Sequence, residues 1–182
     1  MNILIIGHKD HGKDEVGERL SKLLECEYRS SSLFMCEKAV LPTLAPKYGY
    51  ASVEECYNDR DNHREEWFDL IYEYNRLSPT RTADELLEVA PIYVGMRNRI
   101  EFTANMDKGN FDLIFWVDGS KRKPLESSKS LELCEEDADY CIDNNGTIED
   151  LDPQLTFYAD LIRKMERARA ETLLETFSTT TG

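Results

Sequence analysis

Apolar residues along this chain follow two rhythms, and their alternation predicts the elements. Ile3-Leu4-Ile5-Ile6 is a continuous apolar run, too short for a helix and suited to a strand buried on both faces. Val16, Leu20, Leu23 and Leu24 then recur at helical spacing. Glu27 to Ser32 suits a short second strand, with Ser31 or Ser32 capping a helix from about Leu33 to Leu44. Pro42 and Pro46 are expected to interrupt or end that helix, and Lys47 to Tyr50 to form a loop. Ser52-Val-Glu-Glu55 reads as a capping box opening another helix. The stretch from Asn58 to Leu77 is strongly charged yet carries Trp67, Leu70, Ile71 and Tyr74 at helical spacing. A loop from Ser78 to Thr82, a short helix from Ala83 to Val89 and an apolar strand from Pro91 to Arg97 come next, and Arg97 and Arg99 start a further helix. Phe111-Asp-Leu-Ile-Phe-Trp-Val-Asp118 is the clearest later strand, and Ala138 to Gly146 gives one last short strand and a turn. Thr147 to Leu151 and Pro153 to Phe177 supply a terminal helix, amphipathic through Leu155, Tyr158, Leu161, Ile162 and Met165. Ser178 to Gly182 is expected to fray. Strands alternating with helices predict a three-layer α/β domain with a mostly parallel sheet.

Gly7 closes the first apolar run and begins Gly7-His8-Lys9-Asp10-His11-Gly12-Lys13. This has the spacing G-x-x-x-x-G-K of the phosphate-cradling loop known as Walker A, in the context that loop demands: apolar strand, glycine turn, helix. The two glycines let backbone N–H groups come close to phosphate oxygens, and the following helix turns its positive end toward the same anion. Lys13 would then reach between the β- and γ-phosphates of a nucleoside triphosphate. Asp14 stands where Ser or Thr normally holds Mg2+. A carboxylate can bind that ion directly or through water, at the cost of added negative charge beside a triphosphate.

Other positions carry candidate chemistry with a plainer reading alongside. Arg60, His63, Arg64 and Trp67 lie at steps of three and four, so one continuous helix would place them on one face. They read either as a solvated face beside a core tryptophan, or as an arginine pair for a substrate phosphate with a ring to flank a base. Gly95 and Arg97 fall at the carboxyl end of a strand, where open parallel sheets bind ligands. Asp118 ends a hydrophobic strand as a Walker B aspartate does, and equally suits a turn opening Gly119-Ser120. Lys121 to Lys129 is a basic stretch read as a solvated loop or as a lid closing over phosphates.

Composition narrows the classes. The 182 residues suffice for one domain with a sizeable core, and 36 acidic against 22 basic residues give a formal net charge of −14. That balance disfavours diffuse attraction to nucleic acid or anionic membrane while leaving room for a local phosphate pocket. Five scattered cysteines with no C-x-x-C pair suit a reducing compartment rather than a disulfide framework or structural zinc. No apolar stretch approaches a membrane span, and the first apolar run has no basic leader, so a cytoplasmic protein is expected.

Four stretches together resemble the nucleoside monophosphate kinase branch of P-loop proteins, especially the deoxynucleoside monophosphate kinases and related nucleotide kinases of bacteriophages. They are Gly7 to Asp14, Tyr93-Val-Gly-Met-Arg-Asn-Arg-Ile-Glu-Phe102, Trp116-Val-Asp-Gly-Ser120 and Ala138-Asp-Tyr-Cys-Ile-Asp-Asn-Asn-Gly146. The resemblance makes G-K-D a family trait. It implies a P-loop NTPase fold with a five-stranded sheet, a core of about residues 1–31 and 90–177, a helical acceptor-binding insert of about 32–89 and a lid-like loop of about 119–130. ATP and Mg2+ are the implied cofactors, in a monomer or homodimer of the cytoplasm (the host's, if phage-encoded). Gly7, His8, Lys9, Asp10, His11, Gly12, Lys13 and Asp14 would hold ATP, and Asp14 and Asp118 the metal. Asn144, in a turn similar to the one beside adenine in dephospho-coenzyme A kinases, would join them. Lys13, Arg97 and Arg122 would be catalytic, and Arg60, Arg64, Trp67, Arg97 and Arg99 would bind the acceptor. Where several relatives have Asp-x-Arg, Gly95 replaces the aspartate. The acceptor implied is a free (deoxy)nucleoside monophosphate. The alternatives are the hydroxymethyl group of 5-hydroxymethyldeoxyuridine in DNA, a dephospho-coenzyme A kinase-like reaction, or nucleotide binding without transfer.

Overall fold

The computed structural model describes residues 1–127 and 130–180. Five strands form one sheet: β1 (Ile3–Ile6), β2 (Tyr28–Ser30), β3 (Ile92–Val94), β4 (Leu113–Asp118) and β5 (Tyr140–Asp143). Their spatial order is β2-β3-β1-β4-β5, and every neighbouring pair is parallel. Ile5 pairs with Val94 on one side and with Phe115 on the other, so β1 sits at the centre. All of its residues are buried, as a strand covered on both faces requires. This is the three-layer P-loop NTPase fold.

Alternation along the strands separates the two helical layers. Ile3, Ile5, Val94, Phe115 and Ile142 pack against Val16 and Leu20 of α1 (Lys13–Leu24) and against Leu155, Ala159 and Ile162 of α8 (Ile148–Thr180). Leu4, Ile6, Tyr93 and Trp116 face the other way, onto Phe34 of α2 (Ser31–Met35), Leu86 of α6 (Arg81–Leu87) and Phe102 of α7 (Arg99–Lys108). A third, smaller core of Cys36, Val40, Leu44, Cys56 and Trp67 holds together the helices between β2 and β3, including α3 (Leu41–Tyr48), α4 (Val53–Asn58) and α5 (Arg64–Asn75).

Several local expectations are revised. The chain remains helical from Ser31 to Tyr48, because residues Cys36–Val40 widen into a π-helical segment. There the Leu41 N–H donates to the Cys36 carbonyl five residues back, which relieves the clash that Pro42 would cause in a regular α-helix. Lys47 and Tyr48 are thus helical, and Ser30, not Ser31 or Ser32, precedes the helix, without a side-chain cap. Ser52 does cap α4, accepting from the Glu55 N–H, while Glu55 reaches back to the Ala51 N–H. The stretch from Asn58 to Leu77 is broken by a turn before α5 begins at Arg64, so Arg60 and Arg64 do not share a helix face. Pro153 sits inside one continuous α8, which runs through Thr180 where fraying was expected from Ser178. Thr181 and Gly182, like Ser128 and Lys129 of the expected lid-like loop, lie outside the described residues.

Candidate phosphate-binding site

The loop from Gly7 to Lys13 rises from the carboxyl end of β1 and turns into α1, so its backbone and the helix N-terminus face one space. Gly12 has φ 90°, and a Cβ there would lie 2.1 Å from the Asn144 amide nitrogen; only glycine fits beneath that side chain. Gly7, at φ 144°, leaves no room for a Cβ against the Val117 carbonyl.

The loop is fastened from below. Fully buried His11 accepts a hydrogen bond at Nδ1 from the Gly119 N–H (3.0 Å), and its carbonyl accepts from Asn144 Nδ2 (2.8 Å). Asn144 is itself held by its N–H on the Asp118 carbonyl. Asn144 thus ties its side-chain amide nitrogen to the loop. Asp118 is committed too: Oδ1 accepts from the Ser120 N–H and Oδ2 from Asn145 Nδ2. These bonds outweigh burial and hold its carboxyl below the usual range. Each oxygen of Asp118 thus serves a turn with one hydrogen bond, Oδ1 at Gly119-Ser120 and Oδ2 at Asn145. Asp14, in contrast, is exposed in the first turn of α1 and has no hydrogen-bond or ion-pair partner among the described residues. No cluster of three metal-ligating side chains occurs among the described residues.

Lys13 is 8% exposed and donates its ammonium to the His8 carbonyl. Burial, reinforced by the Arg97 charge, lowers its pKa from 10.5 to about 8. The His8 pKa is also lowered, by burial and then by His11. Arg97 leaves the carboxyl end of β3 and crosses to Glu126, with Nη1 2.9 and 3.0 Å from the two carboxylate oxygens and 3.2 Å from the Ser130 carbonyl. Glu126 also accepts from the Lys9 N–H, and its own N–H donates to His8 Nδ1 (3.0 Å). No motif in the sequence points to Glu126, although it is the one acid within the basic stretch Lys121 to Lys129.

Lys9 Nζ approaches Asp61 at 3.3 Å, which brings the turn before α5 to the mouth of the loop. Arg64, at the start of α5, is exposed and unpaired among the described residues. Arg60 lies 4.0 Å over the Tyr57 ring and donates to the Tyr57 carbonyl. Arg99 is clamped to Asp137, with Nη2–Oδ2 at 2.7 Å, and to the Glu132 carbonyl. Trp67 belongs to the third, smaller core, 6% exposed and edge-on to Tyr57, so it is not free to flank a base. Asp10 is exposed at φ 61°, and Lys121, Arg122 and Lys123 are all exposed, with Arg122 above Gly12. The structure thus gathers Lys13, Arg97 and the loop backbone at one place, and leaves Arg60, Arg99 and Trp67 in structural contacts.

No protein-family model matches the chain, and no curated protein matches it. Solved structures similar to it include a shikimate kinase from Bacteroides thetaiotaomicron, 8% identical, covering 90% of this chain and 98% of that one with a TM-score of 0.50. A gluconokinase from Sinorhizobium meliloti 1021 is 11% identical over 92% of this chain and 96% of its own, with a TM-score of 0.49. A shikimate kinase from Aquifex aeolicus is 18% identical over 88% and 98%, with a TM-score of 0.46. At such identities the first of these matches shows a shared fold and leaves the chemistry to the site itself.

Proposed function

We propose that this chain is an ATP-dependent phosphotransferase acting on a (deoxy)nucleotide, with a (deoxy)nucleoside monophosphate as its acceptor. The observation that carries the reading is the convergence of two cations on one loop. Lys13 lies buried at the floor of the Gly7–Lys13 turn, and Arg97 stands close enough for its charge to lower the Lys13 pKa. A nucleotide-binding switch needs the first cation only. Phosphoryl transfer also needs a second positive group, because the transition state spreads charge over the transferred oxygens and the acceptor must be held in line.

In this reading the loop N–H groups and Lys13 hold the triphosphate, and Arg97 and Arg64 take the acceptor phosphate. Arg122, on the loop over Gly12, adds charge from above. A phosphate acceptor arrives ionised, so no general base is required. Mg2+ would supply charge neutralisation on the phosphates when bound. The exposed, uncommitted Asp14 fits a hydrated ion held mostly by phosphate and water, whereas the oxygens of Asp118 are already engaged. The exposed run Lys121–Lys123 beside the loop supports a second reading, phosphorylation of a hydroxymethyl base within DNA.

The test is an ATP-consumption screen against each nucleoside monophosphate, hydroxymethyl-dUMP and hydroxymethyluracil-containing DNA, with Lys13→Met as the control. Wild type is expected to transfer phosphate to a free nucleotide, and the folded variant to lose transfer. Undiminished turnover by folded Lys13→Met would remove the loop as the cradle.

A further inference from the structure

The donors that would receive phosphate are not idle in this structure. Lys13 rests on the His8 carbonyl, while the Lys9 N–H and the Arg97 guanidinium converge on the Glu126 carboxylate. Glu126 comes from a different part of the chain, 117 residues from Lys9. Its side chain is only 12% exposed, wedged between the loop and Arg97. The loop is fixed on both sides of that carboxylate. The Glu126 N–H donates to His8 Nδ1, and the Arg97 carbonyl accepts from the Glu132 N–H. Arg97 and the Lys9 N–H hold the carboxyl ionised against the cost of burial.

We propose that the Lys9 amide and Arg97 form a single oxyanion site whose ligand is a phosphoryl oxygen, and that the chain fills this site itself with Glu126 until phosphate displaces it. The inference rests on the triphosphate reading above. Its physical basis is charge and geometry. A carboxylate presents two anionic oxygens to a backbone N–H and a guanidinium, as a phosphoryl group does. Both anions cannot use the same N–H, and two anions at contact distance in a partly buried site repel strongly. Bound phosphate must therefore break the Arg97–Glu126 pair, and the liberated Arg97 is then available to the incoming group. The exchange keeps Arg97 from standing as an unpaired charge when the site is free of ligand. It also imposes a cost on phosphate binding that removal of the carboxylate charge would lift.

The experiment compares binding of ATP and of inorganic tripolyphosphate by wild type, Glu126→Gln and Glu126→Asp, using calorimetry and tryptophan fluorescence. Trp116, whose ring meets His8 edge-on at 5.4 Å, is placed to report on the loop. Glu88→Gln removes the same charge from an exposed position at the opposite end of the sheet and controls for net charge. Glu126→Gln is expected to bind both ligands about tenfold more tightly than wild type. Glu126→Asp, which keeps the charge on a shorter arm, should fall between, and Glu88→Gln should match wild type. Equal or weaker binding by a Glu126→Gln protein with a normal melting profile would overturn the inference and leave the triphosphate reading intact. If Glu126→Gln does not fold, equal binding by Glu126→Asp and wild type has the same force. Absence of binding in every variant, Lys13→Met included, would overturn both.

Discussion

Lys13 shows how the placement of a lysine beneath the Gly7–Lys13 loop is set against stability. Its ammonium is buried beneath the loop with one carbonyl for company, and its folded pKa of about 8 lies below the ordinary 10.5. A depressed folded pKa means that the contribution to stability is complete above 10.5 and is lost as pH falls through about 8. At pH 7 the charged side chain therefore costs up to about 3 kcal/mol. Lys13→Met is expected to raise stability at neutral pH while abolishing transfer, and the gain should shrink as pH rises from 8 toward 10.5. Urea melts of both proteins at pH 7 and pH 9.5 would show this; a gain that does not fall with pH would mean that burial of the charge is not its source. His11 makes the complementary case. Since Nδ1 accepts from Gly119, the ring proton sits on Nε2, which is buried with no partner. His11→Asn keeps an acceptor at the Nδ1 position but exchanges the ring N–H for an amide NH2 in the same buried space, so it should cost less than His11→Ala without being neutral. His11→Ala strands the Gly119 N–H and is expected to cost about 1–3 kcal/mol. Thermal melts that rank the two variants equally would show that the clamp on Gly119 contributes nothing.

At the level of elements, one helix start deserves a pH experiment. Asn98 caps α7 by accepting from the Ile100 and Glu101 N–H groups, and this sets Glu101 in the first turn against β3. The residue is half-buried along its length but its carboxyl group faces inward, accepting from the Tyr93 hydroxyl at 3.1 Å. Burial raises its pKa from 4.5 to about 7. The folded protein thus keeps a proton that the unfolded chain releases, so the stability contributed is full below 4.5 and is lost as pH rises through about 7. Glu101→Gln should match wild type near pH 4 and exceed it by no more than about 3 kcal/mol at pH 8. A difference that is flat across that range would place the Glu101 carboxyl in solvent. The same scale shows what the sequence could tell. The unit from β1 through the phosphate loop to α1 was legible because every local signal agreed: the four apolar residues, the two glycines and the helical spacing of Val16 and Leu20. The insert was less so, because Pro42 signals a break unless the preceding turn widens, and a π-helical segment leaves no mark in residue spacing. Arg60 and Arg64 likewise fit one helical face on paper, and nothing in their spacing announces the turn between Asp59 and His63. Glu126 is illegible in the sequence for a further reason: its partners Lys9 and Arg97 are brought to it only by the order of strands β3, β1 and β4.

For the molecule as a whole, the question is whether its charge admits a polymer. The net charge of −14 opposes any polyanion at long range, yet Lys121, Arg122 and Lys123 stand exposed beside the loop, and Arg64 stands exposed on the insert. The two acceptors differ most in counterion release. If three backbone phosphates were neutralised by the basic run, raising salt from 50 to 200 mM would weaken acceptor binding roughly 40-fold on a duplex. A single dianionic nucleotide held by Arg64 and Arg97 should lose only a few-fold over that range, since much of its recognition is geometric, through planar guanidinium groups. Arg64→Lys and Arg97→Lys, which keep charge and lose the fork, are then expected to raise the acceptor KM by about tenfold or more, and Arg64→Lys to leave ATP binding almost unchanged. Neutralising Lys121, Arg122 and Lys123 together should affect the acceptor KM less than either. Acceptor KM measured against salt for these proteins decides the matter. A steep wild-type slope that disappears when the basic run is neutralised would show that the acceptor is DNA, and that the repulsion implied by −14 is overcome by a local patch.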